Sequence, residues 1–375
     1  MNKIILPPAT IGIVGGGQLG RMIALAAKPM GYRVGVLDPT PDCPAGQIAD
    51  FQITAGYDDE AALLNLARQS DVLTYEFENV DLNTLQEASK ITALPQGTDL
   101  LHITKNRLRE KQFLADNGIP VTTFAEVESV VSLDAKVAEV GCPAILKTAE
   151  GGYDGHGQWD IDSQETLSAL IARWPVPENV QLILEKQISF DRELSVMVTR
   201  DGLDQVHVWP VAENVHANHI LKTTHAPANI SATLKAEIFQ IATQIAEHLD
   251  LRGVLGVEMF VAGDAVYVNE LAPRPHNSGH YTIEGTNVSQ FEGHVRSICG
   301  LPIDEIKAVD TALMLNLLGD ELTQARQDLV NQPAWHFHDY GKADIKRDRK
   351  MGHITAVGKK SIQALLNWSK NHEQG

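Results

Sequence analysis

The segment that most restricts this chain begins with an apolar strand pattern at residues 10–14. It runs into the turn GGGQLG at residues 15–20 and continues as an alanine- and leucine-rich helix pattern from Arg21 to Lys28. Strand, glycine turn and helix in that order make a βα unit whose turn presents backbone N–H groups at the positive end of a helix, which suits an anion. The next strand pattern, residues 32–37, ends at Asp38. Gly15-x-Gly17-x-x-Gly20 followed about twenty residues later by an acid matches the dinucleotide-binding fingerprint. A tight βα turn in any doubly wound domain satisfies the same pattern, as does a turn that binds a different phosphate or polar ligand. Strand and helix patterns keep alternating through residues 71–76 and 82–90, so residues 1–104 are expected to form a parallel βα, Rossmann-like domain. Glu76 and Glu78 fall just past the carboxyl end of a strand, the side on which open sheets bind ligands.

From residue 105 the chain changes character to KNRLREKQFLADNGIP, which predicts a basic amphipathic helix closed by Gly118 and Pro120. Lys105, Arg107, Arg109 and Lys111 are expected on a solvated face, with room for one to turn inward. Residues 143–147 read as a strand ending on Lys147, followed by four glycines in the seven residues 151–157. Backbone N–H groups of such a loop can wrap phosphates while the ammonium neutralises them. The GK[ST] of a Walker loop is absent, and a plain glycine-rich hairpin is the competing reading. Residues 180–186 form a hydrophobic wall ending in Glu185 and Lys186, and a further strand, opened by charge, follows at 191–198. Wall and acid suit a purine and its ribose hydroxyls, and equally an ordinary sheet.

Two apolar runs, LGVEMFVA and AVYVNEL, flank Gly263-Asp264, a two-residue hairpin signal. Each strand carries one acid, Glu258 and Glu270, which pairing can bring together beside Asn269. Two such charges about 4 Å apart repel by roughly 4 kcal/mol at an effective dielectric near 20, so a buried pair raises a pKa or recruits a cation. A hard oxygen-liganded ion, Mg2+, fits best, and a solvated edge hairpin is the alternative. Beyond Glu270, the residues Arg274, His276, Asn277, Ser278 and His280 crowd a Pro/Gly-interrupted segment that cannot be a regular helix. They predict a polar loop that holds an anion. Zinc at His276 and His280 is disfavoured, because Pro275 and Gly279 work against the helix that would align both rings.

A formal net charge of −17 excludes a dominant basic field, and with it nucleic acid or an anionic membrane surface as partner. Positive charge must then be local, and the C-terminal region carries five cations in the nine residues 342–350, including Lys346, Arg349 and Lys350. The three cysteines, Cys43, Cys142 and Cys299, are far apart, so neither a disulfide framework nor a zinc site is expected. No apolar run approaches the roughly 20 residues needed to span a bilayer, and a soluble, cytoplasmic protein is expected.

Several motifs converge on one family. GGGQLGRM at residues 15–22, FEN at 77–79, KNRLREK at 105–111, GGYDGHGQ at 151–158, NELAPRPHNSGHYT at 269–282 and KMGHIT at 350–355 resemble the N5-carboxyaminoimidazole ribonucleotide synthetases, members of the ATP-grasp superfamily. The resemblance covers nearly the whole chain. It implies an α/β and α+β architecture: an N-terminal Rossmann-like domain at 1–104, an ATP-grasp domain at 105–300 with a lid at about 121–187, and a small β-rich C-terminal domain at 301–375. The family carboxylates 5-aminoimidazole ribonucleotide with bicarbonate and ATP through carboxyphosphate, releasing ADP and phosphate, and a homodimer is the family expectation.

By the same resemblance, ATP would be held by Arg107, Lys147, Gly152, Tyr153, Asp154, Gly155, His156, Gly157 and Gln158. Glu185, Lys186, Gln187, Ile188, Glu193 and His216 would complete that site, and Glu258 and Glu270, with Asn269 beside them, would hold Mg2+. Arg274, His276 and Asn277 would position bicarbonate and carboxyphosphate. Gln18, Leu19, Glu76, Tyr153, Asp154, Arg274, Lys346, Arg349 and Lys350 would hold the ribonucleotide, with Asp154 orienting its amine. The family commonly has Lys or Arg where this chain has His156, so one phosphate contact is expected to be weaker and to titrate near pH 6.5. Two other enzyme classes compete: a formate-dependent glycinamide ribonucleotide transformylase on the same scaffold, and a nicotinamide-dependent oxidoreductase. The latter leaves Lys147, the second glycine loop and the Glu258/Glu270 pair unexplained. A degenerate, binding-only relative is a third class, disfavoured because the lysine and carboxylates are present.

Overall fold

The computed structural model describes residues 4–151, 157–177 and 179–372. The chain divides into two compact units, one of Met1–Leu101, Leu194–Val257 and Ala272–Gly375, the other of His102–Glu193 and Glu258–Leu271.

In the first unit, a four-stranded parallel sheet has the order Phe51–Ile53, Arg33–Leu37, Thr10–Val14, Val72–Tyr75. All five residues of Thr10–Val14 are buried, as an unbroken apolar run in the middle of a parallel sheet requires. Helix Gln18–Ala27 starts directly from the glycine turn, while Glu60–Arg68 and Leu82–Ser89 are capped by Asp59 and Asp81, whose carboxylates accept the N–H groups of Ala62 and Thr84. Helix Gln290–Ile298 packs Phe291, Val295 and Ile298 into the core beneath the first helix.

The same unit contains an antiparallel sheet in the order Arg192–Arg200, Ala212–Ala217, Ile220–Ala226, Ala312–Leu318, Lys350–Val357, His336–Asp339. Its outer strands and helix Lys359–His372 enclose a small core in which Trp335 and Trp368 meet edge to face at 5.0 Å. The basic residues of 342–350 thus lead into Lys350–Val357, a strand buried from Met351 to Ala356.

The second unit has an antiparallel sheet in the order Phe124–Val127, Leu182–Lys186, Ala144–Thr148, Gln158–Ile161. Helices Val130–Val140 and Gln164–Ala172 close its core through Leu133, Val137 and Leu167. The expected hairpin forms from Val254–Ala262 and Ala265–Ala272 around Gly263, whose φ of 59° is the left-handed conformation that glycine adopts without cost.

One expected helix departs from its description. The basic stretch carries one helix, Arg107–Asp116, the second of a pair after Asp99–Thr104, and Asn106 starts it by accepting the N–H groups of Leu108 and Arg109. Glu110, Lys111 and Leu114 are buried on that second helix. With Arg107 they occupy positions i, i+3, i+4 and i+7, one face of a helix. That inward stripe is ionic at three of four positions, so the segment has no apolar periodicity, and more than one cation turns inward. Among the described residues, no helix is long and apolar enough to cross a membrane.

Candidate active site

The second unit gathers its ions from four elements. Lys147 lies near the end of Ala144–Thr148, beside Leu182–Lys186, which carries Glu185. Lys147 Nζ donates to Glu185 Oε1 at 3.2 Å, and Lys111 Nζ stands 3.5 Å from Glu185 Oε2 while donating to the Val268 carbonyl at 3.1 Å. Arg107 Nη2 donates to Glu270 Oε2 at 3.0 Å, and Glu110 Oε2 accepts the Leu271 N–H at 3.2 Å.

Burial sets the electrostatics. Desolvation works against the charge on Glu185, but Lys111, Lys147 and Arg107 outweigh it and hold the carboxyl at about 2. Desolvation, reinforced by Arg107 and Lys111, lowers Lys147 against the pull of Glu185. Glu110 is pushed up to about 8 by its burial and by the neighbouring Glu270, despite Arg107 and Lys111. A carboxyl whose folded value lies above its unfolded value of 4.5 contributes stability that is full below that pH and is lost as pH rises through about 8. The melting temperature of the wild type is therefore expected to fall relative to Glu110→Gln between about pH 5 and about pH 9. Parallel melting curves would show that Glu110 does not titrate there.

The start of the glycine loop is fixed from the same helix. Asn106 Nδ2 donates to Glu150 Oε1 at 3.0 Å and to Gln181 Oε1 at 2.8 Å, and the Arg107 N–H donates to the Ala149 carbonyl at 2.8 Å. Gly152, Tyr153, Asp154, Gly155 and His156 lie outside the described residues. Gly157 has a φ of 75°, and a Cβ there would come within 2.8 Å of Thr148 Oγ1; Gln158 pairs with Lys147 across the strands. Lys186 Nζ turns to the Cys142 carbonyl at 2.8 Å, Gln187 is exposed, and Ile188 and Glu193 are half-buried. On the hairpin, strand alternation breaks at Asn269 and Glu270, which are both half-buried, as is Glu258. This hard-oxygen donor set suits Mg2+, which takes one or two carboxylates and completes its shell with water and phosphate oxygens.

The first unit holds a cavity of about 270 Å³ lined by Gln18, Leu19, Glu76, Phe77, Arg274, His276, Asn277 and Lys350. Seven of these eight were named as site residues in the sequence, from four separate stretches, and Phe77, which belongs to the FEN motif, is the addition. Glu76 reaches back into the glycine turn, where Oε1 accepts the Gly17 N–H and Oε2 accepts the Gly20 N–H at 2.5 Å. Asp38 Oδ2 accepts the Gly16 N–H at 2.8 Å and the Tyr57 hydroxyl at 2.6 Å. A Cβ at Gly15 would stand 2.3 Å from Glu76 Cγ. The glycines therefore make room for this chain's own carboxylates, and the N–H groups that a dinucleotide pyrophosphate needs are already taken.

After Ala272 the segment Pro273, Arg274 and Pro275 stays non-helical, and a single 3-10 turn, Asn277–Gly279, follows with the His276 ring as its cap. Arg274 Nη2 pairs with Glu78 at 2.8 Å, an anchor not anticipated from the sequence. Both carboxamide atoms of the buried Asn277 lack a hydrogen-bond partner among the described residues, which is expensive unless a ligand supplies one. His276 is held well below the ordinary histidine value by desolvation, with Arg274 and Lys350 adding to it, so the ring is neutral.

Of the C-terminal cations only Lys350 lines the cavity, whereas Lys346 and Arg349 are exposed. Lys342, not singled out, donates to the Lys350 carbonyl at 2.6 Å, and burial with Arg349 and Lys350 nearby brings it down to about 8. His216 sits at a strand irregularity between Val215 and His216.

Comparison with known proteins defines the class first. The ATP-grasp domain family matches residues 112–291. A ribonucleotide synthetase preATP-grasp domain matches residues 8–104, and a phosphoribosylaminoimidazole carboxylase C-terminal domain matches residues 312–366. The protein is thus an ATP-grasp enzyme, an ATP-dependent ligase. N5-carboxyaminoimidazole ribonucleotide synthase of Bacillus subtilis (strain 168) is 43% identical over 378 residues, covering 100% of this chain and 99% of that protein. The crystal structure of an ADP complex of N5-carboxyaminoimidazole ribonucleotide synthetase superimposes with a TM-score of 0.93 at 43% identity, covering 100% of both chains. The Aspergillus clavatus N5-carboxyaminoimidazole synthase in complex with ADP and 5-aminoimidazole ribonucleotide gives 0.87 at 32% identity, covering 96% of this chain and 98% of that one. The chain belongs to the N5-carboxyaminoimidazole ribonucleotide synthetase family.

Proposed function

We propose that this protein uses ATP and bicarbonate to carboxylate the exocyclic amine of 5-aminoimidazole ribonucleotide. The observation that carries the proposal is the cavity of the first unit, where Arg274 and Lys350 supply positive charge beside the unpartnered Asn277 carboxamide and the neutral His276 ring. A bicarbonate oxygen attacks the γ-phosphorus of ATP, ADP leaves, and carboxyphosphate results. The ribonucleotide amine then attacks the carboxyl carbon, the C–O bond to phosphate breaks, and the amine loses a proton. Arg274 offers a planar pair of N–H donors for an oxyanion, and Asn277 can donate to one oxygen while accepting from another group. Donors placed where negative charge develops are the largest common contribution to such a step.

In the second unit, ATP is assigned to Arg107, Lys147, residues 152–158, Glu185, Lys186, Gln187, Ile188 and Glu193, and in the first to His216. Glu258 and Glu270, beside Asn269, would hold Mg2+, which offsets charge on the transferring phosphoryl group when bound. The ribonucleotide is assigned to Gln18, Leu19, Glu76, Tyr153, Asp154, Arg274 and Lys350, with Lys346 and Arg349 as outer cations for its phosphate. Asp154 orients the amine. Domains at 1–104, 105–300 and 301–375, a homodimer and a cytoplasmic setting complete the proposal.

The test is ADP release from Mg-ATP with bicarbonate and 5-aminoimidazole ribonucleotide, using Glu270→Gln as control. Release is expected to require all three substrates and to collapse in the control. Release that persists without the ribonucleotide would reduce the activity to a bicarbonate-dependent ATPase, and release with formate and glycinamide ribonucleotide instead would identify a transformylase.

A further inference from the structure

His276 is the end of a buried chain of hydrogen bonds within the first unit. Thr224 Oγ1 donates to Asn214 Oδ1 at 2.9 Å, Asn214 Nδ2 donates to Ser195 Oγ at 2.9 Å, Ser195 Oγ donates to Ser278 Oγ at 2.8 Å, and Ser278 Oγ lies 2.9 Å from His276 Nδ1. Ser195, Thr224 and Ser278 are fully buried and Asn214 is nearly so, so each hydroxyl hydrogen needs a protein acceptor.

That requirement gives the chain one direction. If the Asn214 amide were turned over, its NH2 would face Thr224 and the Thr224 hydroxyl hydrogen would have no acceptor among the described residues. With the amide as it stands, Ser195 accepts from Asn214 and must donate to Ser278, and Ser278 must donate onward to His276 Nδ1. The far end agrees: the Ser278 backbone N–H also points at His276 Nδ1, at 3.4 Å. Both ends make Nδ1 an acceptor, so the proton of the neutral ring resides on Nε2. The residue is held in place: the missing Cβ of Gly256 leaves room for it, where a Cβ would stand 2.7 Å from His276 Cβ, and the His276 backbone is clasped by Gln290 at 2.9 and 2.8 Å.

We infer that the Thr224–Asn214–Ser195–Ser278 chain locks His276 as the Nε2–H tautomer, making it a hydrogen-bond donor to an anionic oxygen of the substrate, with Asn214 as the positioning residue that sets the direction. His276 then polarises bicarbonate or carboxyphosphate and does not act as a base. The functional half of this inference rests on the reaction proposed above, while the tautomer itself does not.

The decisive substitution is Asn214→Asp. An ionised aspartate accepts from both Thr224 and Ser195, which turns the Ser195 hydroxyl away from Ser278. Ser278 then donates to Ser195, and His276 must donate from Nδ1. Two-bond 1H–15N correlation spectra of the full chain labelled with 15N-histidine read the tautomer directly, with His276→Gln assigning the resonance. The wild type is expected to show Nε2–H at neutral pH and Asn214→Asp to show Nδ1–H. Ser278→Ala, which leaves Nδ1 only the long backbone contact, is expected to make the Nδ1–H form detectable. In ADP-release assays kcat should fall about tenfold or more in Asn214→Asp, with the KM for ATP unchanged, since a donor to the reacting oxygen has been lost. Nδ1–H in the wild type would overturn the inference, as would a tautomer unmoved in both variants. Failure of the carboxylation assay with the tautomers as expected would overturn only the reaction.

Discussion

Arg274→Ala is expected to lower kcat for ribonucleotide-dependent ADP release by about 10²–10³-fold, the loss that follows removal of one preorganised donor from a developing oxyanion. The substitution removes a partly buried guanidinium from the cavity wall and strands Glu78, its partner at 2.8 Å, so the cavity keeps Lys350 as its one lining cation among the described residues. Arg274→Lys separates the two effects: it keeps the charge beside Glu78 and loses the planar pair of donors. It is expected to retain folding and bicarbonate affinity better than alanine while recovering little of kcat. If both variants turn over at the wild-type rate, Arg274 does not serve the reacting carboxyl group.

The largest stability effect is expected at Lys111. Its side chain is 1% exposed and shares Glu185, itself 6% exposed, with Lys147. Breaking a buried ion pair by deleting one partner costs about 3–5 kcal/mol, because the other charge stays buried. Lys111→Met should therefore lower the melting temperature sharply, and the Val268 carbonyl loses its donor as well. Adding Glu185→Gln removes the carboxylate that Lys111 helps to balance, so the double variant is expected to be less destabilised than the sum of the two single variants. Strict additivity in that cycle would mean that the pair does not interact energetically.

Legibility from sequence followed the kind of signal each element carries. The parallel strands were readable because their apolar runs end at glycine or acid punctuation, as at Val14 before Gly15 and Leu37 before Asp38. The hairpin was readable because Gly263-Asp264 sits between two apolar runs. The helix carrying Arg107, Glu110 and Lys111 was misdescribed for a physical reason. Sequence patterns find a buried face by its hydrophobicity, and this face is buried through mutual ion pairing.

The cavity of the first unit shows the same limit. Its residues are separated by up to about 330 positions, and only chain topology brings the glycine turn, Glu76, the 274–277 segment and Lys350 to one wall. Glu78 was placed on the ligand side of the sheet, but nothing in the sequence pairs it with Arg274. The hydrogen-bonded chain behind His276 was also invisible, because Ser195, Asn214 and Thr224 lie on three strands whose polar residues look solvated until their register is known.

The glycine turn of the first βα unit carries a lasting consequence. Glu76 fills the N–H groups of Gly17 and Gly20 through a covalent tether, so it competes with any free phosphate at an effective concentration that short tethers raise to about millimolar or beyond. A free dinucleotide would have to evict a ligand that never diffuses away. The turn is therefore an anion site occupied by a tethered ligand of its own, and Glu76→Ala would be the first step in opening it.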